Sequence, residues 1–311
     1  MGRDVNKSAA SSLTAKGPAA KGPAARGPAA KGPVAKGAML DRFGRAITYL
    51  RISVTDRCNL QCRYCATLAD EAPLARKDLL SFEEITEVTE AAVALGVRKV
   101  RLTGGEPLMR RDVEALMWML AALPGVEDFA MTTNGVLLAD HAYALADAGL
   151  QRINVHLDTV NPQRYSSLTS GGDLGRVLAG IEAARAAGLA PIKLNCVVSE
   201  FSAESDAQEV ADFAAQNGLE VRIIRRMNLA TGDFWIVEGG AGGDCRRCDR
   251  LRLSCDGIVR PCLFSDLGFS VRELGAERAL RQAVDEKPER GAPCPREGLA
   301  YRAGGIRGIG G

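Results

Sequence analysis

The stretch that decides the fold class is residues 47–65, which read ITYLRISVTDRCNLQCRYC. Its first half, Ile47–Val54, has the β-branched and apolar composition of a buried strand. Its second half carries Cys58, Cys62 and Cys65 in the spacing C-x3-C-x2-C, directly after that strand. A strand that delivers reactive side chains into the following loop is the arrangement by which α/β proteins build active sites.

Strand-like and helix-like segments continue to alternate along the chain. Ser81 and Glu84 form a capping box that should start the first long helix. Six strands separated by helices predict a parallel sheet, either open and doubly wound or closed fully or in part into a barrel. We predict strands at Ile47–Val54, Lys99–Leu102, Asp128–Met131, Arg152–Leu157, Ile192–Val198 and Glu220–Ile224. We predict helices at Phe82–Leu95, Asp112–Leu123, Ala139–Ala148, Leu174–Ala187 and Glu204–Asn217, with stop signals at Gly96, Gly149, Gly188 and Gly218.

Polar segments follow the first four predicted strands. Thr55–Cys58 comes after the first strand, and Thr103–Pro107, which reads TGGEP, comes after the second. Thr132–Gly135 and Asp158–Thr159 follow the third and the fourth. In barrel-type folds the loops after the strands form one rim, and active sites are built there. The sequence therefore predicts an enzyme whose site gathers residues from distant parts of the chain.

The composition of the 311 residues narrows the class of protein. Hydrophobic residues make up 46% and charged residues 25%, which is typical of a globular protein, and no apolar run is long enough for a membrane span. The net charge of +2 argues against a nucleic-acid-binding protein. His141 and His156 are the only histidines, which excludes a histidine-rich metal site. Nine cysteines are left to carry any metal chemistry.

Residues 1–38 form a segment of low complexity. A five-residue unit recurs in it as KGPAA, KGPAA, RGPAA and KGPVA, and its Pro and Gly residues prevent a continuous helix. We predict a disordered tail, with a polyanion-binding arm as the alternative. Because neither a secretory signal nor an amphipathic transit peptide is evident, we expect a cytoplasmic protein.

The first cysteine triplet has the ligand number of an open iron–sulfur cluster. Three thiolates can hold three irons of a [4Fe–4S] cluster and leave the fourth iron open to a substrate or cofactor. A closed zinc site would need a fourth ligand, and a disulfide framework fits poorly with a large chain that has no secretion signal. We favour the cluster over zinc, a disulfide with a spare thiol, or coincidence. A second triplet, spaced C-x2-C-x13-C, lies at Cys245, Cys248 and Cys262, and there the alternative is a zinc ribbon.

The segments around these cysteines resemble a known superfamily and one family within it. CNLQCRYC after one strand and TGGEP after the next resemble the radical S-adenosylmethionine (SAM) superfamily. CRRCDRLRLSCDGIVRPCLF resembles the second-cluster region of the GTP 3′,8-cyclase family of molybdenum-cofactor biosynthesis. The resemblance extends in the same order through YLRISVTDRCN, VRLTGGEPLMRRD, TTNGVLL, RINVHLDTV, IKLNCVV and the terminal IGG. It implies an α/β fold, a partial (β/α)6 TIM-like barrel at residues 39–235, and a short second-cluster region with a Gly-Gly tail at residues 236–311.

The resemblance also implies the roles of individual residues. Two [4Fe–4S] clusters would be bound, the radical-generating one by Cys58, Cys62 and Cys65 and the second by Cys245, Cys248 and Cys262. SAM would contact Tyr64, Gly105, His156 and Met227. GTP would be held by Arg51, Arg101, Thr132, Lys193, Arg222, Arg250, Leu251 and Arg252. The terminal Gly310 and Gly311 would reach into the site as catalytic residues.

Two of these arginines point to an anionic ligand without any resemblance. Arg51 and Arg101 stand in otherwise apolar strands, where a charge is costly without a partner. A triphosphate would satisfy several such cations, because the guanidinium fork binds two phosphate oxygens at once.

The implied reaction is a lyase step that converts GTP to 3′,8-cyclo-7,8-dihydro-GTP. An adenosyl radical would take hydrogen from C3′ of the ribose, and the carbon radical would add to C8 of the purine. The implied partners are a reductant such as flavodoxin or ferredoxin and a downstream cyclic pyranopterin monophosphate synthase. We expect a monomer or homodimer that binds neither nucleic acid nor membrane.

Some positions depart from the family pattern. His156 stands where the family has a serine, and Arg225 replaces a glutamate. Only the ten residues Ile236–Cys245 connect Trp235 to the second triplet, where the family has several dozen more. Further departures are Ala66 and Thr67 after the first triplet, and two extra cysteines, Cys255 and Cys294.

These departures keep three hypotheses open. The first is the cyclase activity itself, which Arg250 and Arg252 favour. The second is a related radical SAM enzyme for another nucleotide or a peptide, which Arg225 and the short connection favour. The third is a non-catalytic iron–sulfur or zinc scaffold, against which the intact TGGEP segment and both triplets argue.

Overall fold

The computed structural model describes residues 37–66, 73–199, 202–228 and 232–291, and gives Tyr64 and Ala66 as backbone alone. Almost all of the predicted tail, residues 1–38, lies outside this part of the chain. The strands are β1 (Tyr49–Ser53), β2 (Lys99–Thr103), β3 (Asp128–Thr133), β4 (Arg152–His156), β5 (Ile192–Val198), β6 (Glu220–Arg225), β7 (Arg250–Leu253), β8 (Ile258–Arg260) and β9 (Phe269–Ser270). The helices are α1 (Arg63–Ala66), α2 (Phe82–Ala94), α3 (Val113–Ala121), α4 (Leu138–Asp147), α5 (Pro162–Thr169), α6 (Leu174–Ala186), α7 (Ser205–Gln216), α8 (Val271–Leu274) and α9 (Ala276–Asp285).

All strands pair in one sheet, in the order β6-β5-β4-β3-β2-β1-β7-β8-β9. β1 to β7 run parallel, and β8 and β9 are added antiparallel beyond β7. β6 and β9 form the two edges, so the sheet does not close into a complete barrel. The prediction of an α/β fold with a partial six-stranded barrel is confirmed. None of the described helices is both long and apolar enough to cross a membrane.

The predicted elements lie within two residues of their observed ends. The capping box is formed as predicted, because Glu84 N donates to Ser81 Oγ at 3.1 Å and Ser81 N donates to Glu84 Oε2 at 2.7 Å. The sequence analysis missed α5, in which only Tyr165 and Thr169 are buried, so that no apolar stripe marks it. It also missed α9, whose buried face consists mostly of alanines.

Adjacent residues of each parallel strand face opposite sides of the sheet. One set is apolar and buried beneath the helices, and includes Leu50, Ile52, Val100, Leu102, Phe129, Met131, Ile153, Val155, Leu194 and Cys196. The other set is largely polar and includes Tyr49, Arg51, Arg101, Arg152, Asn154, His156, Asn195 and Arg222. A sheet with one apolar and one polar side places its core under the helices and leaves the polar side for a ligand.

A short linker, residues 236–244, lies along the free edge of β6. Glu238 forms an antiparallel bridge with Ile223 of β6, and Arg250 Nη2 of β7 donates to Ala241 O at 3.2 Å. The linker therefore contacts both β6 and β7, which are far apart in the strand order. Its turn is tight at Gly243, where φ is +81° and an added Cβ would lie 1.9 Å from the carbonyl oxygen of Trp235.

We expect Gly243→Ala to displace this linker. Its φ alone would cost about 1–2 kcal/mol of the free energy of unfolding, and the clash adds ~1–3 kcal/mol. Gly188→Ala is the matched control, because Gly188 has the same φ of +81° with nothing within 4 Å of an added Cβ. The two variants are compared by denaturant unfolding. Equal destabilisation by both substitutions would show that the linker is not packed as described.

Candidate active site

A cavity of about 520 Å³ lies on the polar side of the sheet, within the size range of small-molecule sites. Strands β1 to β7 and the linker all contribute side chains to its wall. The wall also includes all six predicted cluster ligands, Cys58, Cys62, Cys65, Cys245, Cys248 and Cys262.

The two cysteine triplets lie at opposite ends of the parallel strands. Cys58, Cys62 and Cys65 follow the carboxyl end of β1, whereas Cys248 precedes the amino end of β7, which runs parallel to β1. Cys262 follows β8, which runs antiparallel to β7. The chain is thereby brought back to the end of the strands at which Cys248 lies. The cavity therefore extends along the strands from one triplet towards the other.

The TGGEP segment packs directly against the first cysteine loop. A Cβ on Gly105 would lie 2.2 Å from the carbonyl oxygen of Arg57, and one on Gly104 would lie 2.6 Å from that of Thr55. The backbone N–H of Glu106 also donates to Arg57 O at 2.7 Å. Both glycines are therefore needed for this close approach of two backbones.

Glu106 holds the loop after β3, which in turn contacts the first triplet. Thr133 Oγ1 and the backbone N–H of Asn134 donate to its two carboxylate oxygens, each at 2.7 Å, and burial raises the pKa of Glu106 to about 7. Asn134 Nδ2 in turn donates to Cys58 Sγ at 3.7 Å and to Asn59 Oδ1 at 2.8 Å. Such hydrogen bonds to cysteine sulfur are one of the means by which proteins set the potential of an iron–sulfur cluster.

The cysteines of both triplets fit an open iron–sulfur cluster by their number and chemistry. Among the described residues none of the six is in a disulfide, and all six line the cavity. Three thiolates can bind three irons of a [4Fe–4S] cluster and leave the fourth iron open to a ligand. A closed zinc site would need a fourth protein ligand.

The second triplet has donors and cations around it. Phe264 N donates to Cys262 Sγ at 3.4 Å. Burial by itself would raise the pKa of the Cys248 thiol, but Lys287 and Arg250 lower it below its ordinary value. Since the thiolate is the form that binds metal, this environment favours ligation by Cys248, whereas burial raises the pKa of Cys245.

Cys255 is not a fourth ligand of this triplet. It is 1% exposed, does not line the cavity, and its carbonyl oxygen accepts a hydrogen bond from Leu80 N at 2.8 Å. Burial raises its pKa to about 12, so it stays a neutral thiol. The other extra cysteine, Cys294, lies outside the described residues.

Positive charge predominates between the triplets. Among the described residues nine lysines and arginines but only four aspartates line the cavity. The strand register places Arg51 beside Arg101 on one side and Arg252 on the other. Burial lowers the pKa of each of these three guanidinium groups to about 10, and repulsion from neighbouring arginines adds to the effect.

The phenol of Tyr49 reports the same positive potential. Burial by itself would raise its pKa, but the surrounding Arg51, Arg101, Arg250 and Arg252 lower it below the ordinary value. A concave site with an excess of one charge attracts ligands of the opposite charge.

Several buried polar atoms of the cavity wall have no hydrogen-bond partner among the described residues. Arg101 Nε, Arg222 Nε, Thr132 Oγ1 and Asn195 Oδ1 are buried with no hydrogen bond from the described residues. Asn154, with its amide oxygen turned towards the two arginines, accepts from Arg101 Nη1 at 2.6 Å and from Arg222 Nη1 at 3.0 Å. Buried polar groups without partners are costly, so these atoms indicate a polar, anionic ligand.

Comparison with known proteins identifies the family. The model of the Radical SAM superfamily matches residues 52–214. The GTP 3′,8-cyclase of Acidothermus cellulolyticus is 40% identical over 296 residues, which cover 79% of this chain and 82% of that protein. The chain belongs to the GTP 3′,8-cyclase family. The family member from Petrotoga mobilis is 35% identical, and the alignment covers 81% of this chain and 92% of that protein. The member from Geobacter sulfurreducens is 34% identical, and the alignment covers 87% of this chain and 99% of that protein.

Solved structures share the fold of the barrel. SuiB of Streptococcus suis bound to S-adenosylmethionine superposes with a TM-score of 0.51 at 19% identity, over 60% of this chain and 43% of that longer one. At this level of identity the likeness supports the radical SAM fold and nothing finer.

Six of the eight residues predicted to hold GTP line the cavity, namely Arg51, Arg101, Thr132, Arg222, Arg250 and Arg252. Lys193 does not, and forms an ion pair with Glu220 of the neighbouring strand instead. The side chain of Leu251 is fully buried on the apolar side of β7, so only its main chain is available to a ligand. The predicted catalytic residues Gly310 and Gly311 lie outside the described residues.

Of the residues predicted to contact SAM, Gly105, His156 and Met227 line the cavity, and the side chain of Tyr64 is not described. His156 pairs with Asp158, with 3.0 Å between Nε2 and Oδ1. Burial by itself would lower the pKa of His156, but Asp158 raises it above 6.5.

The sequence analysis missed several wall residues, among them Tyr49, Lys99, Asn134, Arg152, Asn154 and Asn195. A signal for five of these was present, because a polar residue at every second position of a parallel strand marks the side away from the helices. Asn134 lies in the polar segment Thr132–Gly135 that the sequence places on the rim, but its contact with Cys58 depends on the fold of two loops.

We predict that the His156 ring titrates above pH 6.5 in the protein without SAM, because Asp158 stabilises the imidazolium. Stability from this pair is then complete below pH 6.5 and is lost as pH rises through the raised pKa. The measurement is an NMR titration of the imidazole C–H signals, with His141→Gln to assign the only other histidine. Asp158→Asn should lower the His156 pKa, and an unchanged titration in that variant would contradict the pairing.

Proposed function

We propose that this chain is a radical SAM enzyme that converts GTP to 3′,8-cyclo-7,8-dihydro-GTP, the first step of molybdenum-cofactor biosynthesis. One observation carries the proposal: buried arginines lie in a cavity between two cysteine triplets, which stand at opposite ends of the parallel strands. The relatives that bear the name of this activity align over most of the chain.

The end of the cavity beside the first triplet suits the SAM-binding cluster. Cys58, Cys62 and Cys65 would ligate three of its irons, and Gly105 and Met227 would lie against SAM. With the cluster and SAM bound, the chemistry supplied there is a 5′-deoxyadenosyl radical. The protein's part is to place the reacting hydrogen of the substrate within reach of it.

The middle of the cavity suits the triphosphate. Arg51, Arg101, Arg222 and Arg252 can neutralise its charge and bind its oxygens in pairs. Thr132 Oγ1 and Asn195 Oδ1, which are buried without partners among the described residues, offer hydrogen bonds to the remaining polar groups of the nucleotide.

The far end of the cavity suits the guanine base beside the second cluster. Cys245, Cys248 and Cys262 would hold that cluster, and Arg250 with the main chain of Leu251 would contact the base. The linker covers the side of the cavity at which the sheet does not close, because Gly240 to Gly243 line its wall. This limits the access of water and of other hydrogen donors to a carbon radical.

The remaining assignments complete this proposal. Residues 39–235 form the radical SAM core and residues 236–311 the second-cluster region with the Gly-Gly tail. The family pattern assigns Lys193 to GTP. To bind the nucleotide, Lys193 would have to break its ion pair with Glu220. The protein acts in the cytoplasm as a monomer or homodimer, receives electrons from a flavodoxin or ferredoxin, and passes its product to a cyclic pyranopterin monophosphate synthase.

The test of the proposal is anaerobic reconstitution followed by incubation with SAM, dithionite and GTP deuterated at C3′. We expect methionine, 5′-deoxyadenosine that carries the deuterium, and a GTP-derived product consistent with cyclisation. Cleavage of SAM with unaltered GTP would show a radical enzyme for another substrate. Absence of SAM cleavage in protein with both clusters assembled would overturn the enzyme assignment.

Asn154 is predicted to position two of the arginines for GTP. Asn154→Leu removes their common acceptor, so we expect the KM for GTP to rise about tenfold, as for loss of one hydrogen bond to a charged group. SAM binding should be unchanged. Asn154→Gln keeps an uncharged amide acceptor and is the matched control for the loss of hydrogen bonding. An unchanged KM in Asn154→Leu would show that the arginines need no such support.

A further inference from the structure

Lys287 is a fully buried lysine next to the second cysteine triplet. It lies two residues beyond the end of α9 and is 2% exposed. Its Nζ donates to Arg250 O at 2.7 Å and to Pro261 O at 2.6 Å. These carbonyl groups belong to the residue two positions after Cys248 and the residue directly before Cys262. One ammonium group therefore joins the two chain segments that carry these cysteines.

No carboxylate among the described residues pairs with this ammonium group. Lys287 takes part in none of the ion pairs between residues that the structure describes. The side chain of Cys248 lies within hydrogen-bonding reach of Lys287. A buried charge without an opposite charge is strongly destabilising. Within the described part of the chain, the thiolates of the second triplet are the anionic groups placed to balance this lysine.

A second buried cation, Arg45, holds the third cysteine segment. Arg45 Nη1 donates to Cys245 O at 2.6 Å and to Glu289 O at 2.8 Å, and Nη2 donates to Pro288 O at 2.7 Å. Unlike Lys287, Arg45 has a carboxylate partner, because its Nε donates to Asp41 Oδ2 at 2.5 Å. Its charge is therefore already balanced, and its part is to hold the chain beyond Lys287 against the cysteine segment.

We propose that Lys287 is the counter-charge and the positioning residue of the second iron–sulfur cluster, an inference that rests on the proposed function. Three thiolates outweigh the positive charge of an oxidised [4Fe–4S] core, so the assembled cluster is an anion. That anion supplies the charge that Lys287 lacks. The hydrogen bonds to Arg250 O and Pro261 O hold Cys248 and Cys262 at the spacing that the cluster requires.

Two consequences follow from the charge of Lys287. The cluster is held more firmly, because its assembly removes the cost of the buried ammonium group. Its reduction potential is raised, because added negative charge on reduction is stabilised by a nearby cation. These consequences are separable by substitution, since a glutamine retains two N–H donors without the charge and a methionine retains neither.

The experiment isolates the second cluster in the full-length chain. Cys58→Ala, Cys62→Ala and Cys65→Ala together remove the first cluster, and Lys287→Gln or Lys287→Met is added to that background. Lys77→Met is the matched control, because Lys77 is exposed and does not line the cavity. Iron is counted after anaerobic reconstitution, and the midpoint potential is measured by a redox titration monitored by electron paramagnetic resonance.

We expect about four irons per chain in the background and in the Lys77→Met control. Lys287→Gln should keep most of this iron but shift the midpoint to a lower potential, and Lys287→Met should lose iron as well. Circular dichroism shows whether each variant is folded, and the potential of Lys287→Gln tests the charge even if Lys287→Met does not fold. Full iron content and an unchanged potential in Lys287→Gln would overturn the counter-charge role. Zinc or no metal in the unsubstituted triplet would overturn the second cluster itself, and this inference with it.

Discussion

The burial of positive charge is the constraint on which the structure depends. Arg51, Arg101 and Arg252 lie side by side on neighbouring strands, where burial and mutual repulsion both oppose the charged state. A ligand of opposite charge would offset this cost of desolvation. In the proposed function a triphosphate would do so for the arginines, and an anionic cluster would do so for Lys287. The buried positive charges that oppose folding therefore also make the cavity selective for anionic ligands.

The parallel sheet brings these groups together through its simplest property. Adjacent residues face opposite sides, so each strand contributes an apolar face to the core under the helices and a polar face to the cavity. The strand direction then separates the triplets, because β1 leads into one at its carboxyl end and β7 begins after the other. The short linker supplies the remaining wall from β6 to β7, where the family has a longer segment. Glycines at 239, 240, 242 and 243 allow that path, because added Cβ atoms there would meet Val221, Val237, Arg222 or the Trp235 carbonyl.

The sequence predicts the barrel because strand and helix periodicity, glycine stops and the capping box are readable over a few residues. The spacing of the first cysteine triplet predicts a cluster in the same way, whereas the cluster role of the second triplet and the nucleotide-binding residues were predicted from the resemblance to the family. Features that depend on distant contacts were not predictable in this way. The pairing of Lys193 with Glu220, the bridge from Asn154 to Arg101 and Arg222, and the burial of Lys287 arise from register and packing between segments far apart in sequence. Leu251 shows the converse, because a motif position implied a contact that the orientation of its side chain does not provide.

The central claim is that the buried arginines bind a triphosphate, and thermal unfolding of the reconstituted protein without SAM tests it most directly. A ligand that binds only the folded state raises the unfolding temperature, and at a given concentration the rise increases with the logarithm of its affinity. GTP should raise this temperature well beyond the effect of guanosine at the same concentration, and added salt should reduce the difference because it screens the charges. Equal stabilisation by guanosine and GTP, or no stabilisation by either, would contradict the account.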